Sequence, residues 1–154
     1  MAGIFTVTSE GAKTAASGTT KTLIELMGGT AVKAELLEFG VAFNGVTSTD
    51  PPILVELWQI TASGTGTAAT RVSAGRSAQT PTVTGKYNNT AEPTKGNRIG
   101  TWYLHPQGGS IVIQYPLGNE PVICDASTAQ GLCLAFVSGT MTAASSTSYM
   151  VWRE

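Results

Sequence analysis

The chain has 154 residues, a formal net charge of −1 at pH 7 and a charged fraction of 12%, against about 25% in a typical soluble domain. This length suits one domain whose core needs no disulfide or metal to hold it together, and a hydrophobic fraction of 42% argues against disorder. The small net charge argues against a dedicated nucleic-acid-binding protein, and no apolar run approaches the ~20 residues that span a bilayer.

The low charge density predicts contact with other protein. Thr, Ser, Ala and Gly occupy positions where Lys, Glu and Arg are usual, whereas a soluble monomer generally carries more charge to stay apart from its neighbours. The amino terminus has no basic region followed by an apolar one, which predicts synthesis in the cytoplasm without a secretory signal. Cys124 and Cys133 lie in or beside apolar runs and are therefore predicted to be buried, reduced thiols.

The first 20 residues are predicted to form an arm. Ile4 to Thr8 reads as a short strand, and residues 9–20, SEGAKTAASGTT, are small and polar, which is typical of a flexible link. One use of such a link is to let the first strand pair with a neighbouring subunit. Residues 21–154 are then predicted to form a single β-sandwich domain.

The next strands are predicted by period-2 alternation. After a strand over Lys21 to Met27, the run from Lys33 to Phe43 places Leu37, Phe39, Val41 and Phe43 on one face. A turn containing Asn, Gly and two prolines follows. The run ILVELWQI is apolar on both faces, which favours a strand in the interior of a two-sheet structure.

Residues 62–97 are predicted to form a long, loop-rich excursion, because Thr, Ala, Gly and Ser dominate them, with room for short strands such as TPTVTG within it. This segment carries Arg71, Arg76, Lys86 and Lys95 against one acidic residue, Glu92. Two interpretations stay open: an ordered surface excursion without a role, or a loop that docks onto an acidic partner.

The rest of the chain is predicted to be strands joined by tight turns. The strand candidates are Arg98 to His105, Ser110 to Tyr115, EPVIC, GLCLAFVSG and SYMVWR, and GLCLAFV reads as buried on both faces. About nine short strands at intervals near ten residues predict an all-β fold, an antiparallel β-sandwich of the jelly-roll type.

The sequence offers little to catalysis or metal binding. His105 is the only histidine, and Cys124 and Cys133 do not have zinc-site spacing. A Ser-His-Asp arrangement with Asp50 or Asp125 has no G-x-S-x-G elbow to support it, so a turn or interface role for His105 is favoured. We predict no catalytic residue, no cofactor and no metal.

Two weaker patterns were weighed against structural explanations. Glu38 and Glu56 could be neighbours across a hairpin and act as paired carboxylates on a sugar, although solvated strand positions explain them equally well. The stretch from Gly64 to Ala69 fits G-x-G-x-x-A, but no helix pattern follows it to receive a phosphate. An enzyme is therefore not expected.

Several turns and strands resemble those of capsid decoration, or cement, proteins of tailed bacteriophages. They are LLEFGVAFNGVTSTDPPILVELWQ, the Thr- and Ala-rich excursion with TAEPT, HPQGG, YPLGNEPV and a final strand that ends at Glu154. The likeness runs from about Thr22 onward. It implies a jelly-roll homotrimer on the exterior of the virion that bridges neighbouring major capsid proteins, without binding nucleic acid or membrane. The family has no catalytic residues to carry over.

The sequence thus supports three hypotheses. The first is a structural virion protein that decorates and stabilises a phage capsid, with partner contacts at Ile4, Phe5, Arg71, Arg76 and Lys86. The second is a receptor- or glycan-binding head module of a fibre or spike, which predicts an exposed aromatic cluster drawn from Trp58, Tyr87, Trp102 and Tyr103. The third is an enzyme acting on cell-wall sugars through Glu38 or Glu56.

Overall fold

The computed structural model describes residues 3–9, 13–15, 20–75, 79–137 and 144–154. This part of the chain contains no helix, and hence none that could cross a membrane. It contains thirteen strands: β1 (Ile4–Thr8), β2 (Lys13–Ala15), β3 (Thr20–Met27), β4 (Ala34–Asn44), β5 (Ile53–Ala62), β6 (Thr65–Ala68), β7 (Arg71–Ser73), β8 (Thr84–Ala91), β9 (Thr94–Leu104), β10 (Ser110–Gln114), β11 (Val122–Cys124), β12 (Gly131–Val137) and β13 (Ala144–Arg153).

The strands form two antiparallel sheets that pack as a β-sandwich. Sheet A has the order β10-β4-β13-β1-β7, with β11 also beside β4 and β2 beside β13, and sheet B has the order β6-β8-β3-β12-β5-β9. A jelly roll has eight strands, B to I along the chain, in sheets ordered B-I-D-G and C-H-E-F. Strands β1, β3, β4, β5, β9, β10, β12 and β13 reproduce both orders. The predicted jelly roll is confirmed, and the remaining strands are additions to it.

The core lies between the two sheets and is rich in aromatic rings. Among the described residues, the sheets are joined by ring contacts of Phe39 with Trp102 (centroids 5.1 Å apart) and of Phe43 with Phe136 (6.4 Å), and Phe5 contacts Trp152 within sheet A (5.7 Å). Strand β12 lies between β3 and β5, and its first six residues are buried. The prediction that GLCLAFV is buried on both faces is therefore confirmed, as is the interior position of β5.

Strand β4 follows the predicted alternation except at its start. Phe39, Val41 and Phe43 face the core as predicted, but Leu36 is fully buried there instead of Leu37. The pairing of β4 with β13 shifts register near this point, and such a bulge moves the side-chain alternation by one residue. Period-2 reasoning fails locally because it cannot locate a bulge.

The connection between β4 and β5 crosses from one sheet to the other. Strand β4 pairs with β13 and β10 in sheet A, whereas β5 pairs with β12 and β9 in sheet B. The expectation that Glu38 and Glu56 are neighbours across a hairpin is therefore wrong. The two carboxylates belong to different sheets and do not form a pair.

The segment 62–97 is more regular than its composition predicts. It contains β6, β7, β8 and the start of β9. The β5–β9 pair continues, with Ala62 opposite Thr94 and Thr65 opposite Ala91, into the β6–β8 pair, and β8 then pairs with β3. Strand β7 lies at the edge of sheet A beside β1. The segment therefore widens both sheets of the jelly roll on one side instead of forming a loop.

The first strand belongs to the sheet of its own chain. Strand β1 lies between β13 and β7, with Phe5 opposite Trp152 and Val7 opposite Met150. The side chains of Phe5 and Val7 are buried in the core. Both edges of β1 are hydrogen-bonded within the chain, so pairing of this strand with a neighbouring subunit would require its exchange between copies, and such an arm remains a prediction.

Both cysteines are free and buried, as predicted. Burial raises the pKa of the Cys133 thiol to about 12 and also raises the pKa of Cys124. The thiolate is the reactive form of cysteine, so both side chains behave as small apolar groups that fill space in the interior.

Candidate interaction surface

The outer face of sheet A is broad and carries small, neutral side chains. Three rows of paired residues cross the strands of this face: Val112–Gly40–Tyr149–Thr8, Gln114–Glu38–Val151–Thr6–Val72 and Ser110–Ala42–Thr147. Glu38 is the one side chain in these rows that is charged at neutral pH. Val72 and Val112 are among the most exposed large apolar side chains of the described residues.

Charge is concentrated at one end of this face and is neutralised there. Glu35 contacts Lys33 at 2.6 Å and Arg153 at 2.5 Å, and Arg153 also lies 3.2 Å from Glu120. Hydrogen bonds from Lys33 and then from Arg153 lower the pKa of Glu35. Because these charges are paired with one another, they place little unbalanced charge beside the neutral rows.

A groove of about 370 Å³ runs over the centre of the outer face of sheet A. Gly40 forms part of its floor and the ring of Tyr149 forms one wall; residues of β1, β4, β10 and β13 line it. A side chain at Gly40 would overlap the Tyr149 ring, so the absence of a Cβ allows the ring to lie flat against the strand.

Glu38 is held by two neighbouring side chains. The Tyr149 hydroxyl donates a hydrogen bond to Oε1 of Glu38, and Nε2 of Gln114 donates to Oε2 at 2.6 Å. The hydrogen bond to the Glu38 carboxylate, together with partial burial, raises the pKa of Tyr149 to about 12. The carboxylate thus ties together β10, β4 and β13 across the face.

This contact predicts a dependence of stability on alkaline pH. The pKa of Tyr149 is higher in the folded protein, about 12, than its ordinary value of 10.0, so its contribution to stability is fully present below pH 10. The contribution is lost as the pH rises through about 12. We expect the difference in free energy of unfolding between the wild type and Tyr149→Phe to shrink over that range, as measured by urea denaturation.

Glu38→Gln is the reciprocal control for this prediction. It keeps an acceptor for the Tyr149 hydroxyl but removes the negative charge, so the alkaline loss of stability should be smaller and should end at a lower pH than in the wild type. A difference between wild type and Tyr149→Phe that stays constant across the alkaline range would contradict the assignment.

The structure separates the two amino-terminal residues that were predicted as partner contacts. Ile4 lies on the solvent side of β1 and its side chain is 41% exposed, whereas Phe5 is 2% exposed and packs on Trp152. This corrects the expectation for Phe5, which is not available to a partner in this fold. Ile4 remains a predicted contact at the rim of the outer face of sheet A.

Two of the predicted basic contacts, Arg71 and Lys86, donate hydrogen bonds to groups of their own chain. Nη1 of Arg71 on β7 donates hydrogen bonds to the carbonyl oxygens of Val83 (2.7 Å) and Pro81 (3.4 Å), which anchors the approach to β8. Nζ of Lys86 on β8 donates to Oγ of Ser63 and to the carbonyl oxygen of Gly64, both at 2.8 Å. Both cations therefore bind their own chain.

Arg76, the remaining predicted contact, lies outside the described residues, so the structure does not place it.

The four candidate aromatic residues are not gathered into an exposed platform. Trp102 and Tyr87 pack against the core, and the ring of Trp58 is covered by Arg98 (5.5 Å) and Lys95 (5.7 Å). Tyr103 is the exposed member, with 73% of its surface accessible. A single exposed ring can contact a ligand but does not form a stacking surface of the kind the sequence suggested.

Other candidate groups for chemistry are engaged locally. Nδ1 of His105 accepts a hydrogen bond from the backbone N–H of Gln107 within its turn, at 3.0 Å. Oδ1 of Asp125 accepts hydrogen bonds from Ser127 and Thr128, which lower its pKa. Among the residues that the structure describes, no three His, Cys, Asp or Glu side chains gather as they would around a metal ion.

Sequence reasoning missed the residues that shape the groove and the exposed edge of sheet A, notably Gly40, Tyr149 and Val112. A signal existed for Val112, because SIVIQ contains three consecutive apolar residues and no charge, so a period of two places Val112 on the face opposite Ile111 and Ile113. The contact between Gly40 and Tyr149 had no such signal, since it joins two strands more than one hundred residues apart.

Comparisons with known proteins do not assign the chain to a family. No protein-family model matches the chain, and no curated protein is similar to it at a significant level. Among solved structures, the chain is similar to one of the infectious bursal disease virus Gx strain (17% identity, TM-score 0.28) and to the infectious bursal disease virus VP2 subviral particle (13% identity, TM-score 0.25). The alignments cover 99% of this chain but only 40% and 41% of those chains. The assignment of fold therefore rests on the strand topology itself.

Proposed function

We propose that this protein is a structural virion protein that decorates and stabilises a bacteriophage capsid. In this proposal it is synthesised in the host cytoplasm, assembles as a homotrimer and sits on the exterior of the shell, where it bridges neighbouring major capsid proteins. It runs no reaction and binds no cofactor. The observation that carries the proposal is the outer face of sheet A, a wide and nearly neutral surface on a rigid sandwich.

Such a face is physically suited to forming an interface with another protein. Removing small Thr, Ser, Ala and Val side chains from water costs little, because no unpaired charge has to be desolvated. The cores of protein interfaces are likewise depleted of charged residues. A groove of about 370 Å³ over Gly40 can receive a projecting side chain, and Tyr149 provides an aromatic wall for it.

The low charge of the whole chain favours binding through many weak contacts over long-range electrostatic attraction to a single partner. Single weak contacts become strong when many copies bind a lattice together, since each bound neighbour raises the effective concentration for the next contact. A charged fraction of 12% also limits repulsion between adjacent copies on a crowded shell.

The proposal is tested by adding the purified protein to undecorated, expanded heads of the virus that carries its gene. We expect the protein to sediment with the heads at saturating stoichiometry and to raise their resistance to heat and shear. Absence of both binding and protection would overturn the proposal.

A matched pair of variants tests whether the outer face of sheet A is the contact. Thr8→Asp places a charge at an exposed position of this face, and Thr101→Asp places the same charge at an exposed position of β9 in sheet B. We expect Thr8→Asp to weaken binding to heads at least tenfold and Thr101→Asp to bind as the wild type does. Equal effects would place the contact elsewhere on the molecule.

The exposed side chain of Tyr103 favours one competing role, a receptor- or glycan-binding head module. That role predicts binding on a glycan array that disappears in Tyr103→Ala, together with no binding to heads. The two functions therefore give opposite results in the same pair of assays.

A further inference from the structure

The strand β10 is an open edge of sheet A. Among the described residues it pairs with β4 on one side only. At the two ends of this pairing, the Gly109 carbonyl accepts a hydrogen bond from the N–H of Phe43 and the N–H of Tyr115 donates to the carbonyl of Leu37. Because antiparallel bonding alternates along a strand, Ile111 and Ile113 also bond towards β4. The N–H and C=O groups of the residues between them point away from the sheet.

The other edges carry features that hinder pairing with a foreign strand. Strand β7 has three residues and includes Arg71, and β6 has four residues and shifts register against β8. Strand β9 carries Lys95 and Arg98 and shifts register repeatedly against β5 in its first part, while its regularly paired end, GTWYL, begins with a glycine. Short length, positive charge and bulges are the usual means by which proteins protect sheet edges.

Strand β10 has none of these protections. Its sequence, SIVIQ, contains no charge, no proline and no glycine, and no Asp, Glu, Lys or Arg occurs anywhere from residue 106 to residue 119. Val112 at its centre is 56% exposed. A regular, uncharged and β-branched edge is a template for another strand, and left open it promotes aggregation. The edge is therefore expected to be covered in the assembled protein.

We propose that β10 pairs with β10 of a second copy of this chain, antiparallel and about a twofold axis that passes beside Val112. Strands of sheet A from the two copies then form one continuous sheet. The pairing is isologous, so the same strand serves as both donor and acceptor and the contact closes on itself.

The residue pattern of β10 is compatible with antiparallel pairing to an identical strand. With Val112 opposite Val112 of the second copy, Ser110 lies opposite Gln114 of the second copy and Ile111 opposite Ile113 of the second copy. Polar residues meet polar residues and β-branched residues meet β-branched residues, and no like charges face each other. The outward-pointing backbone groups of Ser110, Val112 and Gln114 are those that exchange hydrogen bonds in this register.

This inference goes beyond the proposed role on the capsid and does not depend on it. A twofold contact at β10 is separate from the threefold contact that a trimer requires, so β10 can join two trimers or two single copies. The contact doubles the mass of a single copy, and it doubles the mass of a trimer when all three β10 strands of one trimer pair with those of a second trimer.

The test uses the fact that residue 112 faces itself across the twofold axis. Val112→Lys places two ammonium groups opposite each other and Val112→Glu places two carboxylates, so each variant alone should have half the molar mass of the wild type by light scattering. An equimolar mixture of the two variants places Lys opposite Glu and should restore the wild-type mass. Tyr103→Lys, on the exposed side of β9, is the matched control and should leave the mass unchanged.

The substitutions leave the fold intact because the Val112 side chain is largely exposed, and thermal unfolding of each variant checks this. A wild type that does not self-associate, a Val112→Lys variant with unchanged mass, or a mixture that fails to restore the mass would each overturn the proposal. Binding to heads is measured in a separate assay. The proposed function can therefore fail while the β10 pairing is confirmed, and the β10 pairing can fail while the proposed function is confirmed.

Discussion

Phe5→Ala is expected to lower the free energy of unfolding by about 4 kcal/mol, in the range found when a buried phenylalanine is truncated. Phe5 is 2% exposed, its ring centroid lies 5.7 Å from that of Trp152, and its strand pairs with β13 on one side and β7 on the other. Truncation leaves a cavity in the core that the surrounding strands cannot fill. Urea denaturation of the two proteins measures the loss.

Ile4→Ala is the control for this prediction. Ile4 is the neighbouring residue of the same strand but points to solvent, so its truncation should cost less than about 1 kcal/mol. The alternative, in which β1 is exchanged with a neighbouring copy, makes the loss in Phe5→Ala depend on protein concentration. Equal losses in the two variants, or a loss that varies with concentration, would contradict the position of β1 within its own chain.

Strands that are rich in apolar and β-branched residues and bounded by turn residues were predictable from the sequence. The bounds of β1, β10 and β12 agree with prediction to within one or two residues, and β3 differs by one residue at its start. In these segments local residue chemistry and tertiary packing favour the same structure. The spacing of such strands and the turn residues between them were sufficient to predict the jelly roll.

The ribbon formed by β6, β8 and the residues of β9 before Arg98 was not predictable in the same way. Most of its residues are Thr, Gly, Ala, Asn and Lys, and its pairing is supported by polar contacts with β3 instead of an apolar stripe. Asn88 adopts a positive φ of 55°, which asparagine tolerates better than most residues, at a register shift of β8. A contact between residues 25 and 89, which are far apart in the chain, produces no pattern in the local sequence. The composition of this segment alone therefore predicted a loop.

The sequence predicted that the protein has a neutral surface, but not which residues form that surface. Low charge density indicated a neutral mating surface, and the outer face of sheet A has that property. Period-2 reasoning cannot say which of two adjacent apolar residues faces inward, so Ile4 and Phe5 were given the same role. A count of basic residues likewise cannot show that Arg71 and Lys86 bind carbonyl groups of their own chain.

One polar network of the ribbon centres on a buried carboxylate, Glu25 on β3, which sequence reasoning did not single out. Glu25 is 1% exposed. Its carboxylate accepts hydrogen bonds from Oγ of Ser63 at 2.5 Å, from the backbone N–H of Gly64 at 3.1 Å and from Nδ2 of Asn89 at 2.8 Å. Lys86, opposite Glu25 in the sheet, binds Ser63 and Gly64 from the other side.

The close packing around this network explains why residues 64 and 66 are glycine. A Cβ at Gly64 would overlap Nδ2 of Asn89 and the carbonyl oxygen of Ala91, and a Cβ at Gly66 would overlap Oδ1 of Asn89. The two glycines of the G-x-G-x-x-A stretch therefore allow β6 to approach β8 closely. They serve packing of the backbone, in a strand instead of at the start of a helix.

Glu25→Ala is accordingly expected to lower the free energy of unfolding by about 3 kcal/mol, because it leaves the buried donors of Gly64 and Asn89, and the hydroxyl of Ser63, without their acceptor. Glu38→Ala is the matched control: Glu38 is also a strand glutamate that accepts two side-chain hydrogen bonds, but it lies on an accessible face where water can replace them. Its loss should stay below about 1 kcal/mol. Hydrogen exchange supplies a local measurement, since the Gly64 amide should exchange faster in Glu25→Ala while amides of β4 keep their protection until the whole domain unfolds. Equal losses in the two variants, or unchanged protection at Gly64, would mean that the ribbon is held by its strand pairing alone and that the buried carboxylate contributes nothing to it.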